Sequence, residues 1–320
     1  MKRAILALLL LCACVCLFIH KKYSQDLKGG EVFGTYYRII TLGKNDIIPE
    51  IEAVFKEVND KMSVFQADSE INKLNELRAN VDMQISPELA LILQVSKDIY
   101  TQSEGAFDPS LGTLIELWGF GVKDFKEEPS QAQIEDALLD VGMNKLELRG
   151  NIARKTRDNL RINLSAIAKG YAVDRVAQVL EENGYRNFLV DIGGEVYAKG
   201  NASIWGEKWT IAIQDPSQKA SGIIAFELDE LAIATSGDYE KFIEKDGERY
   251  SHTINSKSGK PAKNKLASVS VFNKSAMLAD AYATALLAMG EEKAVDFAKN
   301  NKIRAVFIIR DKDRFIIFEI

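Results

Sequence analysis

The segment from Ala276 to Met289 restricts how this chain can fold more than any other feature. It reads Ala-Met-Leu-Ala-Asp-Ala-Tyr-Ala-Thr-Ala-Leu-Leu-Ala-Met, so a helix here is apolar on nearly every side. A helix of that kind must be buried inside the protein. Asp280 is its only charged residue. Thr284 shares a face with Asp280, because residues four apart are neighbours on a helix.

A buried carboxylate needs compensation, because an isolated charge is strongly destabilising away from water. Three arrangements would satisfy Asp280: an ion pair with a lysine or arginine, protonation of the carboxyl group, or coordination of a hard cation. The Asp280 carboxylate and the Thr284 hydroxyl, completed by carbonyls, phosphate oxygens and water, would suit Mg²⁺. The helix alone leaves these alternatives open.

The composition is that of a globular protein. Of 320 residues, 47% are apolar and 27% are charged, which supports a sizeable core and excludes a disordered or fibrous chain. At about 150 residues per domain, this length fits one large domain or two smaller ones. Acidic residues number 46 and basic residues 41, so the net charge is −5. This balance disfavours a nucleic acid as partner.

Residues 1–22 are predicted to be a targeting segment. Lys2 and Arg3 precede an apolar run over 4–19, which is shorter than the roughly 20 residues of a membrane-spanning helix and is typical of a secretory signal. Leu11-Cys12-Ala13-Cys14 resembles a bacterial lipobox, which implies that Cys14 is the lipidated first residue of a mature lipoprotein. The alternative is an uncleaved N-terminal anchor.

Both alternatives place the folded body outside the cytoplasm and tie it to a membrane. We expect a polar tether over 23–30 and one folded domain over 31–320. The three cysteines of the chain are Cys12, Cys14 and Cys16. The domain therefore contains no disulfide framework, zinc knuckle or cysteine nucleophile.

Periodicity and capping residues predict an α+β protein with mostly antiparallel pairing. Helices are predicted over 47–61, 86–104, 165–182, 276–289 and 291–300, with a short helix after Ser130. Strands are predicted over 32–42, 187–191, 209–214, 222–228, 248–254, 266–272, 303–309 and 314–319, with two short strands within 145–163.

Three further segments contain groups suited to a ligand. Lys169 lies one turn into a helix whose free N–H groups attract anions, although a helix cap and a solvated lysine are the more common explanation of such a segment taken alone. The segment 103–121 is rich in glycine and aromatic residues, which suits either a planar ring or a well-packed turn. His252, the only histidine within 31–320, lies between two hydroxyl residues and is either structural or a proton acceptor.

Taken in order, the motifs of residues 33–310 resemble the ApbE-type FAD:protein FMN transferases. The motifs are Phe33-Gly-Thr-Tyr, Met62-Ser-Val-Phe-Gln-Ala-Asp-Ser-Glu-Ile-Asn-Lys-Leu-Asn75, Gly105-Ala-Phe-Asp-Pro109, Leu117-Trp-Gly-Phe-Gly121, Leu164-Ser-Ala-Ile-Ala-Lys-Gly170, Asp191-Ile-Gly-Gly-Glu195, Ala234-Thr-Ser-Gly-Asp238, Ser251-His-Thr-Ile254 and Ala279-Asp-Ala-Tyr-Ala-Thr284.

The resemblance implies an α+β fold of the ApbE type, related to T-fold modules. It implies an enzyme that cuts FAD at its pyrophosphate with Mg²⁺, transfers FMN to a Ser or Thr hydroxyl of a partner protein and releases AMP. The family's acceptor pattern, Asp-x-x-Ser/Thr-Gly-Ala-Ser/Thr, does not occur in this sequence, so the target is expected to be another chain. The alternatives are a Mg²⁺-dependent FAD pyrophosphatase and a non-catalytic FAD-binding lipoprotein.

The resemblance also implies roles for individual residues. Metal ligation is implied for Asp280 and Thr284, with backbone help from Ala166 and Ala283. Flavin contacts are implied for Phe33, Phe65, Ala106, Phe107, Asp108, Asn163, Lys169 and Ile254. For the acceptor proton, we predict His252 as the base, with Asp238 as its rival.

Three of these positions depart from the family's usual residues. Phe33 stands where the family usually has Met, and Phe65 stands where it often has Tyr. Asn163 stands where Asp is usual, which removes a charge and keeps a hydrogen-bonding amide.

Overall fold

The computed structural model describes residues 25–43, 47–122, 127–238, 242–245, 248–262, 265–312 and 314–320. The predicted targeting segment over 1–22, with Cys14, lies outside the described residues. Within the described ranges, none of the helices combines the length and the apolar character needed to cross a membrane.

The helices begin and end close to the predicted positions. They are α1 (Ile48–Met62), α2 (Glu70–Glu76), α3 (Pro87–Gln102), α4 (Gly112–Leu117), α5 (Gln131–Leu138), a short 3₁₀ helix (Met143–Lys145), α6 (Ala168–Glu182), α7 (Ala276–Met289) and α8 (Glu291–Asn300). Ser86, Ser130 and Ser275 cap α3, α5 and α7, because each side chain accepts a hydrogen bond from a backbone N–H three residues on.

The strands are more numerous than the sequence predicts. They are β1 (Gln25–Val32), β2 (Thr35–Leu42), β3 (Asp82–Gln84), β4 (Leu146–Arg149), β5 (Ile152–Lys155), β6 (Phe188–Ile192), β7 (Glu195–Lys199), β8 (Trp209–Asp215), β9 (Gln218–Leu228), β10 (Leu231–Gly237), β11 (Phe242–Lys245), β12 (Glu248–Ser251), β13 (Leu266–Asn273), β14 (Arg304–Asp311) and β15 (Arg314–Glu319).

Eight of these strands form one sheet in the order β1-β2-β6-β7-β10-β13-β14-β15. Every neighbouring pair in this sheet is antiparallel. The smaller sheets are β3-β5-β4, β8-β9 and β11-β12, which are antiparallel as well. The predicted α+β class with mostly antiparallel pairing is confirmed.

The predicted tether over 23–30 needs a correction, because residues 25–30 belong to β1. This strand pairs with β2 along its whole length, from Gln25 opposite Leu42 to Val32 opposite Thr35. Its polar, glycine-containing sequence is tolerated because β1 is an edge strand, and edge strands are often polar.

The antiparallel pairing determines which strand ends and turns meet at each end of the large sheet. At the Gln25 end, β1 begins, β2 ends and β6 begins. At the opposite end, β6 turns into β7 through Gly193 and Gly194, and β10 ends at Gly237. Both glycines of the turn have positive φ, of 62° and 99°, as a tight two-residue hairpin requires. We call these the Gln25 end and the Gly193 end.

Helix α7 is buried, as predicted, between the large sheet and α6. Ala279, Ala283 and Leu286 are inaccessible to solvent and pack with β13 and β14 side chains in one apolar cluster. On its other side, α7 approaches α6 so closely that a Cβ at Gly170 would lie 2.3 Å from the carbonyl oxygen of Ala276. Only glycine fits at this crossing, which brings the start of α6 against the first turns of α7.

Candidate active site

Asp280 lies where α6 and α7 meet. Its side chain is only 4% exposed, and its Oδ2 accepts a hydrogen bond from the backbone N–H of Gly170 at 3.0 Å. Burial raises the pKa of the Asp280 carboxyl group, and the nearby positive charge of Lys169 acts in the opposite direction. The backbone N–H of Gly170 and the ammonium group of Lys169 therefore offset part of the cost of burying the Asp280 carboxylate.

Lys169 is held by a residue to which sequence analysis assigned no role. Its Nζ lies 2.5 Å from Oε2 of Glu195, which is buried at the start of β7. Glu195 directly follows the Gly193-Gly194 turn, so the hairpin fixes where its carboxylate points. The sequence contains this glutamate in a motif, but only the folded sheet shows that it faces the start of α6.

Thr284 lies one turn beyond Asp280 on α7. Its Oγ1 is 3.1 Å from the Oγ of Ser236, which lies near the end of β10. Asp280, Thr284, Lys169, Glu195 and Ser236 therefore converge at the Gly193 end of the sheet. We call these five residues the helix-pair cluster.

Asp238 has a strong partner at the same end of the sheet. Its two carboxylate oxygens receive hydrogen bonds of 2.5 Å and 2.6 Å from the guanidinium group of Arg310 on β14. A bidentate guanidinium stabilises the ionised carboxylate and competes for its lone pairs. The geometry therefore favours His252 over Asp238 as a proton acceptor. Arg310 is a second residue that the sequence did not indicate.

The segments around Asp108 and Asn163 lie side by side. The backbone N–H of Asn163 donates to the carbonyl oxygen of Pro109 at 2.8 Å. Oδ1 of Asn163 accepts from the N–H of Ser165 at 2.9 Å, so the amide that stands in place of the family's usual Asp still turns the chain into α6. Through this turn, the Asp108 loop is joined to Ala166 and to the helix-pair cluster.

Asp108 is buried, and burial raises the pKa of its carboxyl group to about 6. The hydroxyl and the backbone N–H of Ser110 both donate to its Oδ1 and act in the opposite direction. Ala106 is half-buried two residues earlier. The Phe107 side chain between them is only 1% exposed and packs in the main core. At this position the segment has the well-packed arrangement that its sequence also allowed, with the ring in the core and not on the surface.

The loop that contains His252 and Ile254 is fastened to the segment 103–121. The Oγ of Ser256 donates to the carbonyl oxygen of Gly105 at 2.6 Å, and Nε1 of Trp118 donates to that of Gly259 at 2.8 Å. Ile254 is buried in an apolar cluster with Trp118. The half-buried His252 ring lies edge-on to Phe120, with 6.5 Å between the ring centroids.

Phe33 and Phe65 lie on elements that flank α1. Phe33 is in the β1–β2 turn at the Gly193 end of the sheet, and its ring packs edge-on against Phe55 with 5.8 Å between centroids. Phe65 follows the end of α1 with its ring 64% exposed, so it is available to a planar ligand. Neither phenylalanine forms one of the contacts that hold the helix-pair cluster together.

Groups of three or more His, Cys, Asp or Glu side chains able to hold a metal ion do not occur among the described residues. A cation at this site would need a mixed oxygen set. Asp280 and Thr284 offer a carboxylate and a hydroxyl one turn apart on α7 toward such a set, and the carbonyl groups of Ala166 and Ala283 are the further ligands that the resemblance implies. Hard oxygen donors of this kind fit Mg²⁺, which takes few protein carboxylates and shares its other positions with substrate phosphates and water.

Known proteins match this chain over nearly its whole length. A profile of the ApbE family matches residues 33–307. The chain is 35% identical to an FAD:protein FMN transferase of Vibrio cholerae, covering 98% of this chain and 94% of the relative. It is also 35% identical to one of Haemophilus influenzae, covering 90% and 87%.

Solved structures agree with these relatives. The apo form of the Pseudomonas stutzeri flavinyl transferase ApbE superposes with a TM-score of 0.86 at 32% identity, covering 93% of this chain and 95% of that one. The Vibrio cholerae flavin transferase ApbE superposes with a TM-score of 0.86 at 34% identity, covering 93% and 97%.

The raised pKa of Asp108 predicts a specific pH dependence of stability. Between pH 4 and 6 the folded protein keeps a proton that the unfolded chain releases, so this residue lowers the free energy of unfolding as the pH rises through that window. The decrease is on the order of 3 kcal/mol, at about 1.4 kcal/mol per pKa unit. In urea denaturation between pH 4 and 7 without flavin, Asp108→Asn should remove this part of the slope.

The matched control is Asp98→Asn, which removes a carboxylate from an exposed position. A wild-type curve that runs parallel to the Asp108→Asn curve throughout this range would show that Asp108 ionises in the folded protein at its ordinary pKa.

Proposed function

The chain belongs to the ApbE family, and we propose that it acts as an FAD:protein FMN transferase that uses Mg²⁺ and a Ser or Thr hydroxyl as acceptor. Its relatives and its structural neighbours are named for flavin transfer. The metal, the acceptor chemistry and the roles of individual residues are our extension of that assignment.

One observation carries the chemical part of the proposal: a buried carboxylate, a hydroxyl and a fixed ammonium group lie together at the start of α6. Asp280, Thr284 and Lys169 provide these groups. Transfer of a phosphoryl-type group requires charge neutralisation and positioning more than covalent help from the enzyme. This combination supplies both.

Asp280 and Thr284, with the Ala166 and Ala283 carbonyl groups, would hold the Mg²⁺ ion. When bound, a divalent cation neutralises negative charge on pyrophosphate oxygens and so makes AMP a better leaving group. The raised pKa of the Asp280 carboxyl group supports this role, because the Gly170 N–H and Lys169 offset its burial only in part and a cation would stabilise the ionised form further.

Lys169 neutralises a phosphate oxygen of FAD. Glu195 limits the motion of the ammonium group, so Lys169 is positioned before the substrate arrives. Glu195 is thus a positioning residue, because it acts on the substrate only through Lys169.

The transfer step forms one bond and breaks another. The acceptor hydroxyl oxygen bonds to the phosphorus on the FMN side of the pyrophosphate, and the bond from that phosphorus to the bridging oxygen breaks. The electron pair leaves with AMP, and His252 takes the hydroxyl proton. Histidine suits this role because its imidazole changes protonation near neutral pH.

The isoalloxazine end of FAD is bound by the loop segments. Asp108 and Asn163 offer polar groups beside each other, and the exposed Phe65 ring offers a stacking surface. Because the Phe107 ring is buried, we assign contacts in this segment to the backbone of residues 106–108. Phe33, which is half-buried in its turn, contributes apolar surface. Because Ile254 is buried against Trp118, we assign a contact at this position to its backbone as well.

We also propose that the protein works outside the cytoplasm, fastened to a membrane. The support is the basic start, the apolar run over 4–19 and the cysteine at position 14 of a lipobox-like sequence. A lipid on Cys14 or retention of the apolar run would each provide the attachment.

Mass spectrometry tests the transferase directly. The protein is incubated with FAD, Mg²⁺ and a peptide that contains Asp-x-x-Thr-Gly-Ala-Thr. We expect the peptide to gain the mass of FMN less water, with release of AMP, and we expect EDTA to abolish both. Free FMN and AMP beside an unmodified peptide would instead show a pyrophosphatase, and intact bound FAD would show a binding protein.

Asp280→Asn tests the metal assignment. The amide keeps the size of the side chain and an acceptor for the Gly170 N–H, but it removes the charge. We expect the transfer rate to fall at least about 100-fold at low Mg²⁺, and we expect half-maximal rate to require more Mg²⁺. The measurement is the rate of peptide modification across a Mg²⁺ titration.

The matched control is Asp174→Asn, because Asp174 is a half-buried carboxylate against the start of α7. It accepts hydrogen bonds from Ser275 and from the N–H groups of Ala276 and Met277. This variant should lower stability and leave the Mg²⁺ requirement unchanged. An unchanged Mg²⁺ requirement in Asp280→Asn would refute the metal assignment.

His252→Ala tests the base. General base catalysis contributes typically about 100-fold or more, so we expect a loss of that size in the transfer rate, with unchanged binding of FAD. Added imidazole should restore part of the rate. Asp238→Asn should show no imidazole rescue, because its effect is loss of the Arg310 pair. A loss under tenfold in His252→Ala would exclude the base role.

A further inference from the structure

The loop between β7 and β8 displays two large apolar side chains to solvent. Trp205 is 84% exposed and Ile204 is 45% exposed. The loop is ordered by its own hydrogen bonds: the N–H of Trp205 donates to Oγ of Ser203 at 3.2 Å, and the N–H of Ala202 donates to the carbonyl oxygen of Glu207 at 2.7 Å. A defined turn thus holds an indole and an aliphatic chain at its tip.

This exposure distinguishes Trp205 from the other two tryptophans of the chain. Trp118 and Trp209 are buried, and the indole N–H of each donates to a backbone carbonyl group. A tryptophan has an apolar body and one polar N–H, which is why it is enriched where one side is apolar and the other wet.

The loop lies next to the point where the chain enters the fold. Nε2 of Gln25 donates to the carbonyl oxygen of Ala202 at 2.8 Å. The same end of the sheet contains Asn187, whose carbonyl oxygen accepts from the N–H of Leu42 and whose side chain accepts from that of Asn201. The loop therefore belongs to the Gln25 end, opposite the helix-pair cluster.

The length of the preceding chain limits how far this loop can lie from a membrane. A fully extended chain spans at most about 3.6 Å per residue, so Gln25 lies within about 22 Å of Ile19, where the apolar run ends. If Cys14 is lipidated instead, the limit is about 40 Å. Under either form of attachment, the Gln25 end and the loop beside it lie within tether length of the lipid surface.

The two lysines beside the loop are ion-paired and the loop itself contains the exposed acid Glu207, so the loop has little electrostatic attraction for a lipid surface. Lys208 lies 2.6 Å from Asp229, and Lys199 lies between Glu181 and Glu230 at 3.0 Å and 3.4 Å. Attraction to the membrane would therefore come from the apolar side chains themselves.

We propose that the loop over 202–207 docks onto the lipid surface to which the N-terminal segment is fastened, with Trp205 and Ile204 inserted among the headgroups. The proposal rests on the membrane attachment given above under the proposed function. The loop is a second, weak contact that orients the body, because two apolar side chains alone bind a membrane only marginally and need an anchor beside them.

Tryptophan fluorescence tests this contact in the full chain. The protein, with its N-terminal attachment, is reconstituted into vesicles of zwitterionic phosphatidylcholine with or without brominated acyl chains, and bromine quenches indoles that enter the lipid. We expect brominated vesicles to quench the Trp205 emission, and we expect the vesicles to protect it from iodide in the water. In Trp205→Ser, the emission that remains from the two buried tryptophans should show neither effect.

Ile316→Ser is the matched control, because it removes an exposed apolar side chain on the opposite edge strand β15. It should leave the quenching unchanged. The proposal would be overturned if brominated vesicles did not quench the Trp205 emission and iodide still quenched it on the vesicles. Quenching by bromine that occurred only with anionic lipids would overturn it as well. Failure of the protein to float with vesicles would overturn both the attachment and the docking.

Transfer of FMN to a soluble acceptor peptide is measured on the same vesicles. Transfer without quenching would refute the docking alone. Quenching without transfer would support the docking and count against the proposed enzyme activity.

Discussion

The contact between α6 and α7 at Gly170 determines the geometry of the whole site. A side chain at this position would lie 2.3 Å from the Ala276 carbonyl oxygen, so the two helices can approach this closely only with glycine there. The same close approach places the Gly170 N–H on the Asp280 carboxylate. Without it, Asp280 would be a buried charge with much less to stabilise it, and Lys169 would face a different part of the sheet.

The antiparallel sheet supplies the remaining residues of the helix-pair cluster. Because β6 and β7 turn at Gly193 and Gly194, Glu195 reaches Lys169 from the sheet side. Because β10 runs towards the same end, Ser236 reaches Thr284. Residues from four separate stretches of sequence thus meet without a long loop, and each is held by an element that the core already fixes. Such rigidity is what transfer of a charged group requires.

Several features were predictable because their causes are local. Ser86, Ser130 and Ser275 are typical helix-capping residues and predict where three helices begin. The apolar sequence around Asp280 predicts that its helix is buried. Strand β1 was missed because its pairing with β2, not its own composition, makes it a strand. The pairs of Lys169 with Glu195 and of Asp238 with Arg310 join residues that are distant in sequence, so spacing alone could not reveal them. The burial of the Phe107 ring likewise depends on packing partners from other segments.

The full-length pairing of β1 with β2 has a mechanical consequence. Eight residues of strand at about 3.3 Å each span roughly 23 Å between Gln25 and Val32, and every residue of β1 lies opposite a residue of β2, so this segment is stiff. A force applied at one end of β1 is therefore transmitted to its other end with little bending of the strand. Whatever fixes the position of residue 25 therefore also fixes the position of the Gly193 end of the sheet, where the helix-pair cluster lies.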